Sequence, residues 1–478
     1  MLTTRGDFIY NAAITVDNRT DVVYNYKYNE PVACSCVGAA AFIFRERKNQ
    51  ITKSCEEPNM KNCFHAADIL LPKFNSDAEA MKRWSCVACD QYTSEPEYWN
   101  GVEAVVGDAP STLRITLPEL YLDEAESRIP GINNTMCEYS KEILCEYPSA
   151  MIYLERTQSN GRIRRGLVGA IDLECYDYTK GAKSLVRATE GTVLERIPPR
   201  VKIREGATVE LPHIMILIDD PERTVIEPII DRSARFETAY DFDLMQNGGH
   251  SLGKFLPADE IERVNEALEA LSEKAAREQG CDAPLVFAMG DGNHSLASAK
   301  AFWEQTKAAL SDSERETHPA RYALCEIVNI HDDALEFEPI YRVVFGVDPK
   351  NLMSELAEYL KALPESDIAP QTFEYITANG CGEIVCDEPT SLLPVGTLQT
   401  FLDNYIKTHE GAAVDYIHGV DSTKKLASGE NAVGFIFEGM GKSDLFPTVV
   451  RDGALPRKTF SMGEADDKRF YLEARKIR

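Results

Sequence analysis

The stretch Pro284–Glu304, PLVFAMGDGNHSLASAKAFWE, constrains the fold more than any other part of the chain. Leu285–Met289 is an apolar run of the length expected for a buried strand. Gly290-Asp291-Gly292 follows, and then Leu296, Ala299, Trp303 and Leu310 recur at helical spacing. A strand, a glycine turn and a helix in so few residues bring unpaired backbone N–H groups to one point. Those groups and the positive end of the helix dipole favour an anion, most often phosphate. Gly290 and Gly292 allow positive φ and close approach of a ligand to the main chain. Asn293 or Ser295 is expected to cap the helix. Asp291 and His294 stand at the turn, and packing needs neither of them. The structural alternative is a capped strand–helix turn with no ligand.

A chain of 478 residues has room for two or three domains, and 44% hydrophobic with 27% charged residues is ordinary globular composition. The formal charge of −26 argues against a nucleic-acid or anionic-membrane partner, because phosphate backbones reward clustered Lys and Arg. A small phosphate ligand needs only one local donor cluster and is not excluded. No run of eighteen apolar residues predicts a membrane span. The thirteen cysteines are odd in number and lack framework spacing. The start lacks the order of a signal peptide, so the expectation is reduced thiols in a cytoplasmic protein.

Three segments follow from the pattern. Residues 1–59 are poorly periodic and balance seven acidic against seven basic residues, with an apolar patch at Val37–Ile43 and a Cys34-x-Cys36 pair. They read as an extension, with Met60 as the native start, or else as a small accessory hairpin. Residues 60–345 form the main domain and 346–478 a second, smaller α+β lobe.

Within the main domain, Trp84–Cys89 fits a strand ending at polar Asp90, Gln91 and Thr93, where binding groups gather in α/β sheets. Cys86-x-x-Cys89 has no second ligand pair at metal spacing, so buried thiols are expected and zinc is not. Pro96–Val106, Pro118–Glu126 and Asn134–Tyr147 read as helices. Ala150–Arg156 and Arg165–Leu173 read as strands joined through Asn160-Gly161, a hairpin signal. Arg162, Arg164 and Arg165 there are more simply a solvated turn than an anion grip. Arg187 belongs to an arginine-rich stretch, Tyr178–Arg204, that could close on a ligand. His213–Ile218, Thr224–Ile230 and Ala239–Asp243 read as strands, and Pro257–Gln279 as a helix ended by Gly280. Arg321–Ile330 and Leu335–Phe345 read as a β pair across His331, itself a turn residue.

In the second lobe, Leu352–Leu363, Val395–Thr408 and Ser422–Ser428 read as helices. Gln371–Ala378 with Gly382–Cys386 reads as a hairpin, and Val414–His418 and Ala432–Phe437 as strands. The closing segment Leu455–Gly463, LPRKTFSMG, sets Arg457 and Lys458 beside Thr459 and Ser461, a combination suited to phosphate or carboxylate.

From about Lys61 onward the chain resembles the bacterial proteins grouped as domain of unknown function 1015. The resemblance rests on ADILLPK (Ala67–Lys73), VACDQYTSEPEYW (Val87–Trp99), GRIRRGLVGAIDLECYDY (Gly161–Tyr178), MGDGNHSLASAKAF (Met289–Phe302), EIVNIHDDALEFEPIYRVV (Glu326–Val344) and LPRKTFSMG. The central motif of many members is close to Asp-Gly-His-His-Arg before a helix. That motif is similar to the phosphate-binding turn of the ParB/sulfiredoxin superfamily, which includes nucleotide-dependent free-serine kinases. The resemblance implies a ParB/sulfiredoxin-like mixed-sheet α+β core, with nucleotide phosphates held at Asp291, Gly292, Asn293, His294 and Ser295; Gly290 is a phosphate-binding candidate from the glycine turn itself. Asn293 stands where a His is usual and Ser295 where an Arg is usual, so either Lys458 or Arg457 supplies the missing charge from the second lobe, with Thr459 beside them for phosphate, or nucleotide is not the ligand. Members are often encoded beside serine-biosynthesis enzymes, which points to serine or phosphoserine.

The leading expectation is a phosphotransferase acting on a small hydroxyl compound such as free serine. It would use ATP or ADP with Mg2+, and Asp291, His294 and Lys458 as catalytic residues. Asp291 would hold the metal or accept the hydroxyl proton, and Asp90, Gln91, Thr93 and Arg187 would bind substrate. Two alternatives use the same turn: a phosphomonoester hydrolase acting on phosphoserine, and a non-catalytic nucleotide-binding switch.

Overall fold

The computed structural model describes residues 62–478 apart from 193 and 212. The reading of residues 1–59 as an extension, with its Cys34-x-Cys36 pair, Val37–Ile43 patch and Met60 start, lies outside the described residues. The fold is mixed α/β.

A large sheet holds the focal strand. Its first part is an antiparallel series: Thr238–Asp243, His250–Phe255, Ile152–Thr157, Ile163–Asp172 and Tyr322–Asn329. The direction then changes. Met215–Ile218 runs parallel to Tyr322–Asn329, Phe287–Asp291 runs antiparallel to Met215–Ile218, and the short Val186–Arg187 strand is parallel to Phe287–Asp291. The strand leading to the glycine turn thus lies between Met215–Ile218 and Val186–Arg187, and the segment before the first neighbour and the loop after the second can reach the turn. A second, antiparallel sheet orders Gly380–Cys386, Gln371–Thr377, Ala432–Phe437, Phe337–Phe345 and Ala413–His418. A third, four-stranded sheet seats the C-terminal strand Ala474–Lys476 beside Ala67–Pro72.

Local rules account for the clearest elements. The Ala258–Gln279 helix buries Val264, Leu268 and Leu271 on one face and ends on Gly280 at φ 63°, whose amide bonds the Ala276 carbonyl. The Pro96–Val106 helix starts on its proline and buries Trp99, Val102 and Val106. The hairpin through Asn160-Gly161 forms with Gly161 at φ 78°. One apolar cluster joins Met215, Leu217 and Ala288 of the large sheet to Leu352, Leu398 and Val433 from later in the chain.

Several expected elements differ. Trp84–Cys89 is not a strand: Trp84 ends an Ala78–Trp84 helix capped by the Asp77 side chain, and only Val87 makes an isolated bridge, to Phe470. Thr224–Ile230 is a loop with one 3-10 turn, Glu227–Ile229, because Asp220 takes the amides of Thr224 and Val225. Pro118–Glu126 is a 3-10 turn over Glu119–Glu124, and the helix after it runs Ala125–Glu142 and gives way to a strand, Leu144–Ala150. Tyr322–Asn329 and Phe337–Phe345 are both strands but do not pair with each other. The first inserts into the large sheet, and the second joins the second sheet and takes Phe460–Met462 along its early residues. Part of the expected LPRKTFSMG loop is therefore strand.

Candidate functional site

The Phe287–Asp291 strand runs two residues past Met289 and reaches Asp291. Gly292 then takes φ 81° and occupies the N-cap of the Asn293–Lys307 helix. Neither Asn293 nor Ser295 caps this helix with its side chain. The expected cap fails because Gly292 itself makes the left-handed entry and its amide is taken by Asp291 Oδ1 at 2.9 Å. The first intrahelical bond is Leu296 N–H to the Gly292 carbonyl at 3.0 Å. The amides of Asn293, His294 and Ser295 therefore precede the ladder and point out along the helix axis.

Close packing constrains both glycines, and φ requires only Gly292. A Cβ at Gly292 would lie 3.1 Å from Ile214 Cα, and one at Gly290 would lie 3.0 Å from Leu217 Cγ and 3.2 Å from Met462 Cε. Met462 belongs to LPRKTFSMG, so that segment lies against the focal strand.

Charged groups meet here from four parts of the chain. Lys468 Nζ stands 3.6 Å from Asp291 Oδ2 and donates to the Met462 carbonyl. His213, 4% exposed, holds Nε2 3.3 Å from Asp90 Oδ2 and 3.4 Å from Ser295 Oγ. Tyr471 donates its hydroxyl to Cys89 Sγ and lies 3.0 Å from His213 Nδ1, which must then be the donor of that pair. With Asp90 at the other nitrogen, the ring is held as an imidazolium. Burial works against that charge, but Asp90 and then Asp291 outweigh it and raise the His213 pKa. Burial likewise opposes the Asp90 carboxylate, and His213, Gln91 and Lys468 together draw its pKa below the ordinary range.

Glu190, in the loop after Val186–Arg187, adds a third carboxyl group. Burial raises its pKa, Lys458 pulls it back through charge and a backbone hydrogen bond, and Asp291 raises it again. The chain is fixed there by a bond from the Leu455 amide to the Thr189 carbonyl, 2.7 Å, while Thr189 Oγ1 donates to the Met289 carbonyl. Lys458 is exposed and takes φ 57°, a strained conformation for a side-chain-bearing residue.

The structure thus brings together Asp291, Ser295, Asp90, Gln91 and Lys458 from the sequence-derived set, with Asn293 and His294 in the helix's first turn. Others are engaged elsewhere. Arg187 is 8% exposed and its guanidinium bonds the Ser184 and Ala283 carbonyls. Thr459 donates to the Pro456 carbonyl, and Arg457 bonds the Tyr416 hydroxyl and lies over its ring. Thr93 is exposed. Arg164 is neither solvated nor an anion grip, since it is buried against Glu326. The two CxxC thiols are buried or half-buried and unbridged, and burial pushes Cys86 up to about 11 and Cys89 to about 12. Sequence reasoning missed Glu190, Lys468 and His213. His213 precedes a strand already read correctly, and strand ends beside a glycine turn were the available signal.

One cavity reaches this cluster and a second lies beside it. A small one of about 170 Å³ meets it at Ser295 and His213. A larger cleft of about 990 Å³ includes Gly191 and Arg457, the chain neighbours of Glu190 and Lys458. Among the described residues no group of three or more His, Cys, Asp or Glu side chains could hold a metal ion on its own, and no helix is long and apolar enough to cross a membrane.

A mixed-sheet protein with a strand–glycine–helix turn ringed by carboxylates and lysines is the class that fold and site define. The chain belongs to the family described as protein of unknown function (DUF1015), whose model matches residues 71–408. No curated protein matches it. Among solved structures, a mutant free serine kinase in complex with AMP is 13% identical, with a TM-score of 0.34, covering 64% of this chain and 91% of that one. The same kinase in complex with ADP is 12% identical over the same shares, also with a TM-score of 0.34. A C-terminally truncated SbnI from Staphylococcus aureus is 11% identical with a TM-score of 0.30, covering 62% of this chain and 82% of its own.

Proposed function

We infer that the protein is a phosphotransferase that moves a phosphoryl group between a nucleotide and a small hydroxyl substrate such as free serine. The supporting observation is the convergence on one helix N-terminus of Asp291, Glu190, Lys458 and Lys468. Phosphoryl transfer needs position and charge neutralisation more than covalent help from the protein.

The amides of Asn293, His294 and Ser295 hold phosphate oxygens. Lys468 and Lys458 offset the charge that builds on the transferring group, and His294 donates to it. Glu190, whose raised pKa makes it a stronger base than an ordinary carboxylate, takes the proton from the attacking hydroxyl. Asp291 supplies a carboxylate, which fits a Mg2+ carried in on nucleotide phosphates, since such ions use one or two carboxylates plus phosphate and water. Such an ion screens phosphate charge. The large cleft beside Glu190, lined by Lys180, Thr192, Gln399, Asp403 and Arg457, suits a polar, charged acceptor.

The test is phosphorus NMR on purified protein with serine, Mg2+ and either ATP or ADP, and a parallel sample with phosphoserine alone. Phosphoserine appearing only with nucleotide is the expected result. Free phosphate from phosphoserine alone would make the protein a hydrolase, and no turnover in any sample would overturn the catalytic reading.

A further inference from the structure

We propose that the small pocket beside Ser295 is a nucleobase site, so that the phosphate donor or acceptor at the turn is a nucleoside diphosphate or triphosphate rather than a bare polyphosphate. This rests on the phosphotransferase reading above.

The pocket is lined by apolar Ile115, Leu117, Met136, Ile203, Val209 and Leu211 and by charged Arg200, Arg204 and Glu210, with Ser298 from the same helix as Ser295. Those charged groups are already paired, Arg200 with Glu119 and Arg204 with Glu210, so the wall offers a zwitterionic amino acid little in return for its lost water and suits a serine-like acceptor poorly. A flat aromatic ring loses little there and gains apolar contact. Size agrees. Pockets for whole drug-sized ligands run from about 300 to 1,000 Å³. At about 170 Å³ this one takes a single ring system and leaves ribose and phosphates outside. The exit is in the right place, because Ser295 and His213 belong both to the pocket wall and to the charged cluster. A ligand with its ring in the pocket would therefore extend toward the amides of Asn293–Ser295. Ser298 gives a polar contact at the ring edge: its hydroxyl donates to the His294 carbonyl at 2.6 Å, and its oxygen can accept from a ring amine. The large cleft shares no lining residue with this pocket, which keeps donor and acceptor apart.

The experiment measures binding of ADP and of inorganic pyrophosphate, each with Mg2+, by calorimetry on the full chain. The comparison is repeated on Ile203→Trp, a partly exposed position whose larger side chain fills the pocket. Expected is at least a tenfold preference for ADP over pyrophosphate in the wild type, falling to less than threefold in Ile203→Trp with pyrophosphate affinity unchanged. Equal wild-type affinities would overturn the base site while leaving the phosphate site standing. So would a preference that survives in a folded Ile203→Trp. Should Ile203→Trp fail to fold, Ser298→Val is measured in its place, with at least a threefold loss for ADP alone expected and no loss overturning the proposal. If neither compound binds the wild type, the phosphotransferase reading itself fails, and that result is separate from either of the others.

Discussion

Glu326 and Asp291 flank the same residue of the large sheet, since both register with Met215 from opposite sides, yet the polar groups around them are organised in opposite ways. Glu326 is fully enclosed. Arg164 bonds its two carboxylate oxygens at 3.2 and 3.3 Å, Arg469 adds a bond of 2.6 Å, and Arg469 passes on to Glu473, which accepts from Tyr240. Both oxygens of each carboxylate are used. Around Asp291 the contacts are longer, Lys468 standing at 3.6 Å, the side chains are partly exposed, and a cavity opens nearby at His213 and Ser295. A closed network fixes the C-terminal segment to the sheet and commits its carboxylate oxygens, while the buried Arg469 Nε is left without a hydrogen bond. An open one keeps charge and hydrogen-bonding capacity in reserve.

The comparison breaks most visibly at Glu326. Replacing it with Gln leaves Arg164 and Arg469 buried beside a neutral amide, and loss of one partner of a buried pair costs about 3–5 kcal/mol. Urea unfolding of Glu326→Gln should show that loss. Lys458→Ala, at an exposed residue, should stay within about 0.5 kcal/mol of wild type.

Activity should divide the other way. Lys458→Ala and His294→Ala each remove one donor to the transferring group and should lower turnover by about 10²–10³. Glu190→Gln should do the same and should also remove the acid limb of the pH–rate profile. Because the folded Glu190 pKa is raised, that limb in the wild type lies above the ordinary carboxylate value of 4.5. A wild-type limb at or below that value would take the proton-accepting role from Glu190.

The two regions also differ in how far the sequence exposed them. The strand, turn and helix around Gly290–Ser295 depend on contacts within a few residues, and apolar periodicity with two glycines was enough to place them. Pro96–Val106, the Asn160-Gly161 hairpin and Ala432–Phe437 were legible for the same reason. The cap was misread because Gly292 does the work of a capping side chain through its backbone. Arg164 looked like a surface charge because its partners, Glu326 and the Asp467 carbonyl, lie far along the chain. Glu190, His213 and Lys468 were hidden likewise: each lies beside an element read from its apolar residues, and only the sheet order brings them to Asp291. Tyr322–Asn329 and Phe337–Phe345 look like a hairpin locally, and separate sheets claim them.

Gly292→Ala sharpens the contrast at the level of backbone. An L side chain at φ 81° costs about 1–2 kcal/mol, and the new Cβ would press on Ile214 Cα at 3.1 Å. The variant should unfold at lower urea by at least that amount. Gly161→Ala, also at positive φ but with nothing within 4 Å of its Cβ, should lose only the conformational part. The difference between the two variants measures how tightly Ile214 closes over the turn. If they lose the same amount, the close approach at Gly292 has no energetic weight.

A smaller loss than at Glu326, and a pH-dependent one, is expected at Asp90 and His213. Asp90→Asn keeps the shape and removes the charge facing His213, so about 1 kcal/mol should be lost, the scale of one net hydrogen bond. Its pH dependence follows from the two shifts. The folded His213 pKa is raised, so its contribution is complete below the unfolded value of 6.5 and disappears as pH rises through the folded value. The folded Asp90 pKa is depressed, so its contribution is complete above the unfolded value of 3.8 and disappears as pH falls through the folded value. The gap in unfolding free energy between wild type and Asp90→Asn should therefore be widest between about pH 4 and 6.5 and should narrow toward alkaline pH. Around Glu326, where arginines carry the positive charge, the corresponding gap should not narrow at all up to pH 9, because a guanidinium keeps its proton there. Equal alkaline behaviour of the two gaps would mean that His213 is not the charged partner of Asp90.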